Sequence, residues 1–109
     1  MWRIEFYCDH RGNCPPLAFI EGLPVFEQAK TRNALKLLQE FGSNLTIPHA
    51  KHIQGKFWEL RPGGIRLFYF AFIDKRFVIL HGYRKQNQKA PDREIAIAIK
   101  RIQDLLDEV

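Results

Sequence analysis

Three strand-like runs joined by short turns dominate the second half of the 109-residue chain and constrain its fold most strongly. They lie at residues 56–61, 65–72 and 77–83, and each is rich in aromatic and aliphatic side chains. The connections, residues 62–64 and 73–76, are too short to carry a crossover. The three runs must therefore pair as antiparallel neighbours in one sheet.

The rest of the chain predicts one further strand and three helices. Periodicity indicates a strand and two helices in the first half, at residues 2–7, 15–21 and 25–41. A last helix begins after Pro91, and residues 43–55 are expected to be a polar connection. The predicted order is β-α-α-β-β-β-α, a single α+β domain over residues 1–109 with a mainly antiparallel sheet packed by helices.

Both faces of the predicted sheet carry apolar side chains. Phe68, Phe70 and Phe72 point opposite to Leu67 and Tyr69 on the same strand, because side chains alternate along a strand. A sheet with one solvated face does not fit this pattern. We therefore expect a curved sheet whose second face is partly covered by the terminal helix or by a partner.

Composition and charge narrow the class of protein. Hydrophobic residues make up 46% and charged residues 27%, as in an ordinary globular domain, and the formal net charge is +5. This excess of positive charge favours a polyanionic partner. No apolar stretch approaches the roughly 20 residues needed to span a bilayer, and no secretory leader is apparent. We expect a cytoplasmic protein with no membrane partner.

The two cysteines leave more than one interpretation open. Cys8 and Cys14 flank a short loop that holds His10. A disulfide across this loop is possible, but two cysteines without a leader fit reduced thiols better. A zinc site would need a fourth ligand, and none is evident. We expect free thiols and no metal.

Three segments resemble one protein family. Residues 51–61, KHIQGKFWELR, resemble the K-L/H-x-x-G-x-W-E-L-R segment of HigB-like toxins in the RelE/ParE superfamily. Residues 65–69, IRLFY, resemble its Y-R-V-F-Y strand, and residues 80–91 resemble its L-H-G-F-x-K-K-x-x-K-T-P segment. The similarity covers nearly the whole chain in order. Gln86 and Ala90 depart from the last segment, and Phe57 and Glu59 stand where RelE carries lysines.

This resemblance implies the toxin of a type II toxin–antitoxin pair. Most RelE and HigB relatives cleave mRNA in the ribosomal A site without metal or cofactor, using the RNA 2′-OH as nucleophile. The implied partners are mRNA, the ribosome and a cognate helix-turn-helix antitoxin, through which alone the toxin would meet operator DNA. Two alternatives remain open: a ParE-like inhibitor of DNA gyrase, and a basic RNA- or protein-binding module that has lost catalysis.

Metal-free cleavage of RNA needs cations and proton-transfer groups around one phosphate. Arginine suits the stabilisation of a phosphorane, because it stays charged and offers a bidentate fork. Arg61, Arg66, Arg84 and Lys85 stand at the ends of the three runs, where neighbouring strands about 5 Å apart can bring them together. The candidate catalytic residues are Arg61, Arg66, Tyr83, His81, Lys85 and Glu59.

Tyr83 is a base only if neighbouring cations lower its pKa, and its neighbours in sequence are cations. His81 can serve as acid or base, or else as a core histidine, whereas Glu59 can be a base or can orient Arg61. His52 and Tyr69 are further acid–base candidates. The candidate RNA-binding residues are Lys51, His52, Lys56, Arg84 and Lys89. Trp58 is expected to pack in the core.

Overall fold

The structure, a computed structural model, describes residues 2–86 and 89–108. Those residues form five strands, three α-helices and a short 3₁₀ turn at Gly42–Asn44. The strands are β1 (Arg3–Phe6), β2 (Ala50–Gln54), β3 (Phe57–Leu60), β4 (Ile65–Phe72) and β5 (Arg76–Arg84). The helices are α1 (Pro15–Glu21), α2 (Val25–Phe41) and α3 (Asp92–Asp107).

The strands form one sheet in the order β1-β5-β4-β3-β2. β1 pairs in parallel with β5, and every other neighbouring pair is antiparallel. The predicted α+β class and mainly antiparallel sheet are therefore confirmed. The parallel pair is reached through α1 and α2, which supply the long connection that parallel strands require.

The sequence reading was wrong about one element, because residues 43–55 are not a connection without regular structure. They contain β2, which pairs with β3 at the edge of the sheet. Lys51, His52 and Gln54 are exposed, and the register shifts between residues 52 and 54. An exposed edge strand with an irregular register shows no clean alternation, so its pattern is that of a polar loop.

One face of the sheet packs against α1 and α2 and is called the α1/α2 face below. Leu60, Leu67 and Ile79 from three neighbouring strands meet Leu38 of α2 there, and all four are fully buried. Trp58 packs against the same cluster, as expected. The side chains on this face therefore form an ordinary apolar core.

The other face, called the α3 face, is covered by the last helix. Phe57, Phe68 and Val78 pack with Ala98 of α3, and Ile95 and other apolar residues of that helix complete the cluster. The prediction that the terminal helix covers the second face is confirmed. Its apolar residues meet only part of that face, and the polar cluster described below lies toward the β3–β4 turn.

A bulge in β5 places an extra residue on the α3 face. Phe68 of β4 pairs with His81, whereas the next residue along pairs with Ile79, so Leu80 is the extra residue. The bulge keeps Leu80 and His81 on the same face. Beyond it Gly82 lies against Phe19 of α1, where a Cβ would clash. The alternation then returns Tyr83 to the α3 face.

Two further expectations have outcomes outside the sheet. Cys8 and Cys14 are joined in a disulfide, so the expectation of free thiols is wrong. No helix in the described part of the chain is long and apolar enough to cross a membrane. Between β5 and α3, residues 87 and 88 lie outside the described residues.

Candidate active site

A cluster of charged side chains is centred on Glu59 of β3, which is only 4% exposed. The Tyr83 hydroxyl donates a hydrogen bond to its Oε2 atom at 2.8 Å. The Nε atoms of Arg61 and Arg66 lie 3.6 and 3.9 Å from its Oε1 atom. The three strands β3, β4 and β5 therefore bring four predicted site residues together on the α3 face.

The turn between β3 and β4 orients Arg66. The Nη1 atom of Arg66 donates hydrogen bonds to the carbonyl oxygens of Gly63 at 2.7 Å and Ile65 at 2.9 Å. Burial and the charge of Arg61 lower the pKa of Arg66, which is 6% exposed. An arginine nevertheless stays protonated at neutral pH, so the site keeps a fixed cation with a set orientation.

Two guanidinium groups share one carboxylate at this position. Both Arg61 and Arg66 face Glu59, so Glu59 does orient Arg61 and is shared with Arg66. Burying such charges is expensive unless they are paired and hydrogen-bonded, and here the pairing leaves one positive charge in excess. The cluster is thus suited to a further anionic group.

Tyr83 does not have the environment expected of a base. Burial, and next the hydrogen bond and charge of Glu59, raise the pKa of Tyr83 above its usual value, and the charge of Arg66 opposes this only in part. The expectation that neighbouring cations lower this pKa is wrong. Arg84 follows Tyr83 in sequence and so lies on the other side of the sheet. Tyr83 is therefore a protonated hydrogen-bond donor.

His81 is held from both sides of its ring by residues of α3. Its Nε2 atom lies 2.7 Å from Oε1 of Glu94, and its Nδ1 atom lies 3.4 Å from Nη1 of Arg101. Both ring nitrogens of His81 are therefore engaged by side chains of α3. Arg101 also donates to the carbonyl oxygen of Leu80 at 2.8 Å, which ties α3 to the bulge.

Sequence reasoning missed Glu94 and Arg101. The two stand seven residues apart on α3, which places them on one face of the helix, two turns apart. Both interrupt the apolar stripe that packs on the sheet. Charged residues within such a stripe were the sequence signal that α3 makes a polar contact with the sheet. Their partner on the sheet could not be identified without the bulge.

A groove of about 450 Å³ opens beside Glu59. Lys51, which pairs with Glu59 across the β2–β3 ladder, and Lys89 bring positive charge to it, and Ile53 and Ile95 supply apolar walls. His52 also lines it, but a ring nitrogen of His52 bonds the carbonyl oxygen of Gly55 at 2.7 Å.

Other predicted residues lie outside this cluster. Arg84 forms a two-point ion pair with Glu27 of α2, at 2.6 and 2.8 Å, on the α1/α2 side. Lys56 lines a different hollow at the opposite end of the strands, beside Leu106. Lys85 is exposed, and its backbone N–H donates to the carbonyl oxygen of Gly64. The expected convergence of all four strand-end cations is therefore wrong for Arg84.

Tyr69 is not part of the cluster either. It is 2% exposed within the apolar core of the α1/α2 face, and burial raises its pKa. Within residues 2–86 and 89–108 there is no group of three or more His, Cys, Asp or Glu side chains that could hold a metal ion. The residues that meet at Glu59 are cationic and hydroxyl-bearing.

Residues 18–103 match the model of a family described as phage derived protein Gp49-like (DUF891). The matched region runs from α1 into α3 and contains the whole cluster around Glu59. No curated protein matches the chain.

Proposed function

This chain belongs to the Gp49-like family, a HigB/RelE-like toxin family, and on that premise we propose that it is a toxin that cleaves mRNA as a metal-free endoribonuclease. The proposed setting is the ribosome of the cell that makes it, in the cytoplasm. The cluster around Glu59 is the proposed active site.

One observation carries the proposal: two guanidinium groups from neighbouring strands meet at a single buried spot. Arg61 and Arg66 share Glu59, so they hold more positive charge than that carboxylate neutralises. Cleavage through a phosphorane adds negative charge to a phosphate that already carries one. A fixed pair of arginines stabilises that added charge without having to reorganise.

The proposed reaction needs no group beyond the RNA and these side chains. The 2′-oxygen attacks the neighbouring phosphorus, and its proton is lost to a base. The bond from phosphorus to the 5′-oxygen of the next nucleotide breaks, and that oxygen takes up a proton. The products are a 2′,3′-cyclic phosphate and a 5′-hydroxyl.

We propose proton-transfer roles that differ from the sequence expectation. Tyr83 is protonated and donates to Glu59, so we assign Tyr83 to the donation of a proton or hydrogen bond to a substrate oxygen. Glu59, whose carboxylate accepts that hydrogen bond, takes the role of base. His81 is engaged by Glu94 and Arg101, and it acts only if substrate displaces one of them.

The remaining predicted residues are proposed to bind RNA away from the scissile phosphate. Lys51 and Lys89 stand along the groove beside Glu59, where they would hold neighbouring phosphates. His52 lines the outer part of this groove, whereas Lys56 lines another hollow, Arg84 is paired with Glu27 and Lys85 is exposed. We propose them as outer contacts to messenger or ribosomal RNA, which carry affinity without sequence information.

Control of such an enzyme requires a partner that blocks its site. We propose a cognate antitoxin of the helix-turn-helix class, which would also link the toxin to operator DNA. The proposed toxin itself has no direct contact with DNA.

The test is cleavage of a single-stranded RNA by the purified protein, with and without ribosomes and in the presence of EDTA. We expect cleavage that EDTA does not abolish, with a cyclic phosphate on the upstream product. A substrate with 2′-deoxyribose at the cleavage position should stay intact. Cleavage of that substrate would contradict the proposed use of the 2′-OH.

Paired variants test the assigned site. Replacing Arg61 and Arg66 by Ala should lower the cleavage rate by about 10²–10³-fold or more, since each removes charge stabilisation. The matched control replaces the exposed Arg3 and Arg32, which removes the same charge elsewhere. Equal activity of the two double variants would contradict the assignment of Arg61 and Arg66 to the active site.

The gyrase alternative gives a different order of events after induction in cells. Our proposal predicts that protein synthesis stops before DNA supercoiling changes, and that new transcript 5′ ends appear. Loss of supercoiling as the first event, with intact transcripts, would favour the gyrase inhibitor.

A further inference from the structure

A second basic groove adjoins the turn that carries the two arginines, on the opposite side of that turn from Glu59. It has a volume of about 290 Å³ and is lined by Lys30 and Asn33 of α2, by His49, and by Arg61 and Gly63 of the turn. Arg61 belongs to both regions, because its Nε atom faces Glu59 while its side chain also lines this groove. Arg61 therefore lies between the two regions.

Lys30 reaches across from α2 to the turn. A Cβ added at Gly63 would lie 3.5 Å from Cδ and 3.7 Å from Nζ of Lys30, so the lysine passes directly over the glycine. The carbonyl oxygen of the same glycine accepts the hydrogen bond that orients Arg66. Lys30 is thus a third cation at the β3–β4 turn.

An exposed aromatic ring stands beside this cation. Phe26 lies one turn before Lys30 on α2, is 63% exposed, and has its ring centroid 5.9 Å from Nζ of Lys30. Exposed aromatic rings next to cations are the elements that hold single-stranded RNA, since bases stack on the ring and phosphates meet the charge. An exposed phenylalanine contributes nothing to the core of this domain.

The nearby acidic residue is already neutralised. Glu27 is bound by Arg84 at two points, and the hydrogen bond from Arg84 and the charges of Arg84 and Lys30 lower its pKa. Two cations thus face one carboxylate, which leaves the groove positive. This charge suits a polyanion that leaves the space at Glu59 and continues along α2.

We propose that the groove between α2 and the β3–β4 turn binds the RNA strand next to the scissile linkage, with Lys30 on a phosphate and Phe26 stacked on a base. His49 and Asn33 supply further hydrogen-bond groups along its wall. This inference rests on the proposed function, because it extends the same RNA strand beyond the pair of arginines. It implies a substrate longer than the two nucleotides that flank the broken bond.

The test measures binding of a fluorescently labelled single-stranded hexaribonucleotide that is 2′-O-methylated throughout and so cannot be cleaved. Fluorescence anisotropy at several salt concentrations gives Kd and the slope of log Kd against log salt. Lys30→Ala should reduce that slope by about 0.7, the value for one phosphate contact on a single strand. Lys36→Ala, which removes the same charge from an exposed position of the same helix, should change it by less than half as much.

Phe26→Ala separates stacking from charge. It should weaken binding by about fivefold or more while leaving the salt slope unchanged. Phe26 and Lys30 are both exposed, so neither substitution is expected to impair folding.

The outcomes distinguish this proposal from the proposed function. If Arg61→Ala reduces the slope but Lys30→Ala and Lys36→Ala behave alike, the proposal that RNA binds in the second groove is wrong. The proposed active site at Glu59 is then retained. If Arg61→Ala has no effect either, both proposals fail. A labelled oligoglutamate is the second probe: binding of that peptide, but not of RNA, in a Lys30-dependent manner would overturn the proposal in favour of an acidic protein segment.

Discussion

The two faces of the sheet use the same strands for different purposes. On the α1/α2 face, Leu60, Leu67 and Ile79 are fully buried against helices in an apolar core. On the α3 face, the strands carry the apolar Phe68 and Val78 against α3 and the charged Glu59 and Arg66 toward the β3–β4 turn. Apolar burial stabilises the fold, whereas buried charges at best offset their own desolvation.

This difference teaches where stability and chemistry lie in a small domain. Burial of charge in Glu59 and Arg66 gives the fold little net stability, so their presence is best explained by what they do to an anion. The apolar α1/α2 face provides the rigidity that holds them in place. Substitutions on the two faces should therefore have separable effects.

The largest effect is expected at Tyr83, where substitution affects cleavage and not folding. Tyr83→Phe should lower the cleavage rate by about 10²–10⁴-fold, the range for loss of a positioned proton donor, while RNA affinity stays within about twofold. Its role as a donor also predicts no rise in rate with pH toward the ionisation of tyrosine. A rate that increases steadily above about pH 9 would instead indicate a tyrosinate base.

The second prediction concerns the α1/α2 face, where a substitution should affect folding and not cleavage. Leu67→Ala should lower the free energy of unfolding by about 2–5 kcal/mol, because it leaves a cavity in the core. Cleavage per folded molecule should stay unchanged at a temperature where the variant is folded. Urea denaturation measures the free energy of unfolding. The cleavage rate divided by the folded fraction gives cleavage per folded molecule. A variant that folds well but loses cleavage would contradict the separation of the faces.

A third prediction concerns one polar group within the apolar layer. Thr31 of α2 is fully buried, and within the described residues its hydroxyl oxygen finds no hydrogen-bond partner. Thr31→Val removes this group without a change of shape, so it should stabilise the fold by about 1 kcal/mol. Thermal denaturation should show a Tm higher by about 4 °C, whereas the exposed Thr46→Val should leave Tm unchanged.

The smallest effect is expected at Glu94, which contacts His81 from α3, and only at acid pH. Burial would raise the pKa of Glu94, but the hydrogen bond and charge of His81, followed by those of Arg93, outweigh it and lower the pKa overall. A carboxylate with a lowered pKa in the fold contributes stability above about pH 4.5, and the fold loses it as pH falls further.

Glu94→Gln should therefore reduce the loss of Tm between about pH 5 and pH 3 relative to the unchanged protein. The exposed Glu108 at the end of α3 provides the matched control, Glu108→Gln. Identical acid profiles for all three proteins would show that the contact with His81 does not contribute to stability.

Much of the fold could be predicted from the sequence because its strongest patterns are local. The antiparallel strands β3 to β5 follow from three apolar runs and short turns, and α2 begins and ends at the predicted residues 25 and 41. The edge strand β2 was missed, since its exposed and irregular register leaves no periodic signal. Whether an edge segment forms a strand depends on its pairing partner, and that partner is not part of the local sequence pattern.

The site was predictable only in part for the same reason. Arg61 and Arg66 flank one turn, so their proximity follows from the sequence, as does the nearby Glu59. The partner of Arg84 lies on α2, far away in the chain, and the sequence gives no sign of it. The pKa of Tyr83 depends on facing Glu59, which only the register between strands establishes.

The bulge at Leu80 adds a buried side chain to the α3 face without changing which residues point toward Glu59. Because Leu80 and His81 already lie on the same face, removing Leu80 would restore strict alternation and leave His81, Gly82 and Tyr83 on their present sides. The losses would be one fully buried side chain and the carbonyl oxygen to which Arg101 donates. A deletion of Leu80 should therefore loosen α3 from the sheet while Tyr83 stays on the side of Glu59.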